Sequence, residues 1–277
     1  MSETVEFFNN RTGDRIFSFL HTVEQKSDLG VIFCAPFGEE KSRSYRTLTK
    51  FARYLEKSNI PSMRFDSKGC GDSDGELHDM TIESQVLDTC DAISRFVEQT
   101  QVKRVVLVGL RFGATIAALA AEKDSRVEKL VLLSPVIRGA HYWREILRLK
   151  QFSSIWLNQP AKKATEYMHE LDQQGMLEIE SQFLSQEFVK QLQAINLLGR
   201  EPTFSGDLLI TSIAKDSLAC ELADKLAQHY AVSTRSYQTW NHEEREYWSV
   251  LSLFDQYHPE PTFEYVSQWL AQAETIA

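Results

Sequence analysis

Three features of the chain predict an α/β protein with a mostly parallel central sheet and helices on both faces. Short apolar runs alternate with longer segments whose apolar residues recur at helical spacing. The runs at 30–36, 104–109, 129–136 and 207–213 carry little polar alternation, as expected of parallel strands buried on both faces. Finally, Gly109-Leu110-Arg111-Phe112-Gly113 joins one such run to the alanine-rich stretch 114–121, which reads as strand, tight turn and helix. Glycine is needed at 109 and 113 because the turn is sharp and the helix must lie close to neighbouring strands.

Taken in order, 5–10 and 15–23 read as an antiparallel hairpin turning at Asn9–Asp14. After the run 30–36 comes a polar loop, Phe37–Ser44, and a helix to about Lys57 with Leu48, Phe51, Ala52 and Leu55 on one face. A strand at 60–66 leads to the loop 67–75, whose Gly69, Gly71 and Gly75 predict left-handed turns. Its aspartates would repel phosphate and no Gly-Lys-Ser/Thr follows, which argues against a P-loop. A helix is predicted at 81–99, with Ile82, Val86, Ala92, Ile93 and Phe96 as its apolar stripe. From Arg138 to about Glu201 the composition turns helical, rich in Gln, Leu and Trp. Strand character returns at 207–213, followed by a helix at 217–230, a strand at 232–238, a loop through His242, and a last helix containing Phe263, Val266 and Trp269. The expected organisation is a core of 1–137 and 203–277, with a helical lid, 138–202, inserted into it.

Bulk properties narrow the function. With 43% hydrophobic and 25% charged residues, the composition is that of an ordinary soluble globular protein. A net charge of -9 argues against nucleic-acid binding and against an anionic membrane surface. No apolar run approaches a membrane span, so no stable membrane insertion is expected. The segment Met1–Glu6 has no apolar stretch suggesting a secretory signal. Cys34, Cys70, Cys90 and Cys220 are scattered, without metal-ligand spacing, and read as reduced thiols in a cytoplasmic protein. No cofactor and no metal is expected.

A helical insertion after the strand beyond the Gly-x-Arg-x-Gly turn resembles the α/β-hydrolase fold, over nearly the whole chain. Within it, Pro36-Phe37-Gly38-Glu39-Glu40, Arg64-Phe65-Asp66, Gly69-Cys70-Gly71-Asp72-Ser73 and the turn itself are similar to the serine-aminopeptidase-like hydrolases. More narrowly they resemble the exosortase-A-system-associated hydrolases, one branch of which carries arginine in this turn. The resemblance implies that Gly109–Gly113 is the nucleophile elbow, with Arg111 at the nucleophile position, where the pattern fails. It also implies Asp216 as the triad acid, His242 as the triad histidine, and an oxyanion hole from the N–H of Phe112 and one near Phe37 or Gly38. Each triad position has an ordinary reading too: Asp216 as a helix cap before Ser217, and His242 as a polar loop residue. His258 is a weaker rival to His242.

Arginine stays protonated and cannot be the nucleophile. Cys70 is a poor substitute, since its acidic neighbours raise a thiol pKa, and Ser134 reads as a turn residue before Pro135. Arg111 at a helix N-terminus suits a carboxylate or phosphoryl group. Equally, it could pair with Glu39, Glu40 or Asp216 and plug the site. The favoured function is a degenerate hydrolase that binds a small anionic or ester-like ligand, or a partner, in a retained pocket. The alternative is an active hydrolase on an ester, amide or thioester, with water activated by Asp216 and His242 while Arg111 stabilises charge. The basic amphipathic helix 138–150, with Trp143, Ile146 and Leu147 and with Trp156 further on, is expected to be a lid. A membrane-surface or partner-docking role, including homo-oligomer contact through the lid, is the other reading.

Overall fold

The structure, a computed structural model, describes residues 2–156, 160, 162–213, 217–249 and 259–272. An eight-stranded sheet runs β1-β2-β4-β3-β5-β6-β9-β10. Its strands are β1 (Ser2–Asn9), β2 (Arg15–Thr22), β3 (Leu29–Cys34), β4 (Ser62–Phe65), β5 (Arg104–Leu110), β6 (Val127–Leu133), β9 (Asp207–Ile213) and β10 (Ser236–His242). From β4 to β10 every neighbour is parallel, while β2 is antiparallel to both β1 and β4.

Side-chain alternation along the central strands divides the core in two. Val105 and Leu107 of β5, with Ile32 of β3, point to one face. There they meet α2 (Ile82–Thr100) and α3 (Phe112–Ala121) through Ile93, Phe96 and Ala117. Val106, Val108 and Leu110 point to the other face, with Phe51 and Leu55 of α1 (Gly38–Lys57) and Phe263 and Val266 of α8 (Glu260–Ala271). The Phe51 and Phe263 rings stack at 4.5 Å, which joins α1 to α8. Thr81 caps α2 by accepting from Ser84 N–H at 2.9 Å. Gly69, Gly71 and Gly75 all have positive φ, as their loop requires.

Between β6 and β9 the chain forms α4 (Gly139–Trp156), α5 (Ala164–Gln174), β7 (Met176–Ile179), β8 (Gln182–Ser185) and α6 (Gln186–Ala194). The segment is therefore not purely helical, as its composition suggested. β7 and β8 form a separate two-stranded hairpin turning at Glu180 and Ser181, both at positive φ. Leu177 and Leu184, paired across it, are its buried residues. On α4, Trp143 and Leu147 are buried, whereas Phe152 and Ile155 are exposed. The side chain of Trp156 is outside the described residues.

The last strand also departs from expectation. Residues 231–233 form a turn closing α7 (Ser217–Tyr230), with Ser233 and Thr234 N–H both donating to Tyr230 O at 3.0 Å. Val232 is 79% exposed, so its β-branched signal was misleading. β10 starts four residues later and is an edge strand with mostly exposed side chains, which left no apolar run to locate it. In consequence His242 ends the strand, where a loop was expected.

No described helix is long and apolar enough to cross a membrane.

Candidate functional site

The sheet order reverses at β3, which has β4 on one side and β5 on the other. Ligand crevices of open α/β sheets form at the carboxyl edge beside such a reversal. β5 ends there and delivers Arg111 at φ 53°, ψ -119°, a left-handed conformation costly for a residue with a Cβ. Packing holds the turn in place. Arg111 N–H donates to Leu133 O at 2.9 Å, and its carbonyl accepts from Ala114 N–H at 3.0 Å. A Cβ at Gly109 would collide with Ala114 backbone, and one at Gly113 with the carbonyls of Cys34 and Ala35.

The Arg111 side chain is 14% exposed and lies between two carboxylates. Nε donates to Glu40 Oε1 at 3.1 Å and Nη2 to Glu145 Oε1 at 3.0 Å. Tyr142 hydroxyl donates to the other Glu40 oxygen at 2.8 Å. The guanidinium carbon lies 5.4 Å from the ring centres of both Tyr142 and Trp248. Burial pushes the Glu40 carboxyl above its ordinary value, against the pull of Arg111 and Tyr142. Burial also opposes the Arg111 charge, but Glu40 and Glu145 together outweigh it and keep the guanidinium protonated. The Tyr142 phenol is raised well above its usual range, first by burial and then by the Glu40 charge, so it acts only as a donor.

A cleft of about 290 Å³ opens beside Arg111, with Ser134, Tyr142, Glu145, Glu246 and Trp248 among its walls. Glu40, Tyr142 and Glu145 also border a narrower slot of about 40 Å³ lined by Phe37, Gly38, Leu77 and Ile146. Phe112 and Gly38 begin α3 and α1, where first-turn N–H groups have no partner within the helix. The rings beneath them form a packed floor: Phe37 lies 5.0 Å from Phe112 and 5.1 Å from Phe188.

His242 makes its contacts with other groups. Its ring stacks on Trp240 at 3.6 Å. Nε2 lies 2.9 Å from Glu244 Oε2 and 3.2 Å from Thr262 Oγ1 on α8, and Thr262 also donates to Glu244. His242 is not among the residues lining the cleft. Asp216 and His258 lie outside the described residues. The structure thus joins Arg111 to Glu40, an acid expected as its partner, and gives His242 the carboxylate of Glu244.

The family model for serine aminopeptidase, S33, matches residues 30–216. The chain belongs to this family of α/β-hydrolases. Among curated proteins it is similar to the polyketide transferase grgF of Penicillium, 32% identical over 93 residues; the match spans about a third of that protein, 32% of each chain. Among solved structures it is similar to Est1E from Butyrivibrio proteoclasticus with ferulic acid bound, at TM-score 0.71 and 16% identity, covering 96% of this chain and 97% of that one. GrgF from Penicillium is likewise similar, at TM-score 0.65 and 17% identity, covering 98% and 97%. At these identities the structural likeness is one of fold.

In this S33-family chain, sequence reasoning missed Tyr142, Glu145, Glu244 and Trp248. A signal existed for the first two. Positions 142 and 145 share a face of α4, one position around from the apolar pair Trp143 and Leu147. A tyrosine and an acid beside a buried stripe border whatever that stripe covers.

Proposed function

We propose that this family member has given up serine-type hydrolysis and keeps the cleft to bind a small carboxylate or ester-like molecule, with the inserted segment 138–202 acting as its lid. One observation carries the reading: the nucleophile position holds a buried guanidinium paired with Glu40 and Glu145. Glu40 is 13% exposed and fixed by Tyr142, whereas Glu145 is 51% exposed. An incoming carboxylate can therefore replace Glu145 on Nη2 while Glu40 keeps Nε in place. Tyr142 and Trp248, which line the cleft beside the guanidinium, offer apolar contact to an aromatic acid. The reading in which Asp216 and His242 activate water has less support, because Glu244 and Thr262 occupy His242 Nε2.

The test combines a reactive probe with a titration. A serine-directed fluorophosphonate should leave the purified protein unlabelled, since an arginine stands where the reactive serine would be. Benzoate and ferulate should bind the wild type, bind more tightly to Glu145→Gln, and fail to bind Arg111→Met. Stoichiometric labelling of any serine, or absence of carboxylate binding in Glu145→Gln, would sink the proposal.

A further inference from the structure

At the far end of α1, three side chains meet with no assigned role. His21 on β2 stands in register with Glu3 on β1, so both point to one face of the sheet. Glu56 approaches from the last turn of α1. His21 is completely buried, yet neither ring nitrogen has a hydrogen-bond partner among the described residues. Buried polar groups are nearly always satisfied, so an orphaned imidazole calls for an explanation.

The spacing supplies one. His21 Nδ1 lies 3.8 Å from Glu3 Oε1 and 4.0 Å from Glu56 Oε2. All three donor atoms fall within 4.8 Å of one another. These gaps are too long for hydrogen bonds. Two metal–ligand bonds of roughly 2.0–2.2 Å at the tetrahedral angle hold their donors about 3.4 Å apart, so the set must contract by about half an ångström at His21 and by up to about 1.4 Å at its widest, a movement open to the partly exposed Glu3 side chain.

We propose that His21 Nδ1, Glu3 and Glu56 bind one divalent transition-metal cation, with zinc the best match to one imidazole and two carboxylates and water in the fourth position. Glu3 is 31% exposed and offers the entry route. Two cations compete with the metal. Arg53, paired with Glu3 at 2.5 Å, is 55% exposed and can swing into solvent. The guanidinium of Arg64, held over the rings of Phe19 and Tyr45, stays nearby and weakens the site without blocking it. Along α1, Glu40 and Glu56 are separated by 16 residues, about 24 Å of helix, so this site is distinct from the Arg111 cleft. A metal here would clamp the edge hairpin β1–β2 to α1.

Zinc should be titrated into full-length, chelator-stripped protein by calorimetry, alongside Glu3→Gln, Glu56→Gln and the exposed control Glu83→Gln. The expected result is one zinc per chain, weakened at least about tenfold by either of the first two changes and unaffected by the control. Zinc should also raise the melting temperature of the wild type. Zinc-edge X-ray absorption of the wild type alone should show nitrogen and oxygen neighbours, which keeps the proposal testable if a variant folds poorly. Absence of binding, affinity unchanged in both glutamine variants, or sulfur among the zinc ligands would each overturn it.

Discussion

Arg111 Nε and Glu40 Oε1 stand 3.1 Å apart across the site, with neither side chain more than 14% exposed. The arginine comes from the end of β5 and the glutamate from the first turn of α1, so the pair ties together the two elements that frame a hydrolase cleft. Removing one member leaves the other charged in a poorly hydrated place.

Arg111→Met should accordingly lower stability by roughly 3–5 kcal/mol in urea unfolding, because Glu40 keeps its burial and loses its counter-charge. The double change Arg111→Met, Glu40→Gln should recover most of that loss. Glu145→Gln alone should cost no more than about 1 kcal/mol, since Glu145 is half-exposed and its pairing is screened by water. Equal losses for Glu40→Gln and Glu145→Gln would contradict the assignment of Glu40 as the fixed partner.

On the proposed reading, a serine placed at position 111 should not by itself create a serine hydrolase. In Arg111→Ser, Glu40→Gln the hydroxyl would sit at the elbow vertex, but His242 is held by Glu244 and Thr262 and does not line the cleft. With the expected triad histidine away from the cleft, the serine lacks its family base and stays a weak nucleophile. Fluorophosphonate labelling of that variant should remain at background, and rapid labelling at position 111 would show that a base does reach it.

The elbow glycines should prove intolerant for steric reasons alone. Gly113→Ala forces a methyl group into the carbonyls of Cys34 and Ala35 at the end of β3. Rigid backbone cannot yield as a side chain can, so the loss should reach or exceed about 3 kcal/mol, the upper end for overpacking. Gly13→Ala is a useful contrast, because nothing lies within 4 Å of the added atom and only the positive φ of 89° opposes it.

The thiols offer a pH-dependent test. Burial pushes Cys70 up to about 11, with Lys41 lowering it and Asp66 raising it, and burial pushes Cys34 up to about 12. At pH 8 the Cys70 thiolate is therefore only about one part in a thousand. Since the thiolate is the reactive form, alkylation of both should be slow at pH 8, and that of Cys70 should quicken as pH climbs towards 11. Mass spectrometry should find the part-exposed Cys220 modified first. Fast native alkylation of Cys70 at pH 8 would reopen it as a nucleophile.

Most of the core was legible because its parallel strands are buried on both faces and leave unbroken apolar runs. β9 lies at Asp207–Ile213, the span its sequence indicated. Local chemistry also exposed the elbow, since Gly109 and Gly113 answer to contacts that only a strand-to-helix turn produces. Legibility fails where an element draws its identity from tertiary packing. β7 and β8 are four residues each in a helix-like composition, and one buried leucine apiece is too faint a signal. β10 is an exposed edge. In the site, Glu40 was visible because it sits beside Phe37 and Gly38 in sequence. Glu145 is 34 residues from Arg111, and its role depends on how α4 docks.

The start of α1 also fastens the inserted segment to the core. Glu40 receives Tyr142 of α4, Arg43 reaches Glu180 in the β7–β8 turn at 3.1 Å, and the neighbouring Arg111 holds Glu145 of α4. The inserted segment is thus buttoned to the core by charged groups gathered round a single helical turn. Two of the three fastenings are ion pairs whose acids are partly open to solvent, Glu180 at 23% and Glu145 at 51%. Dissolved salt competes for such groups, so on the proposed lid reading a brine that leaves the apolar layers intact should loosen the buttons and widen the way in.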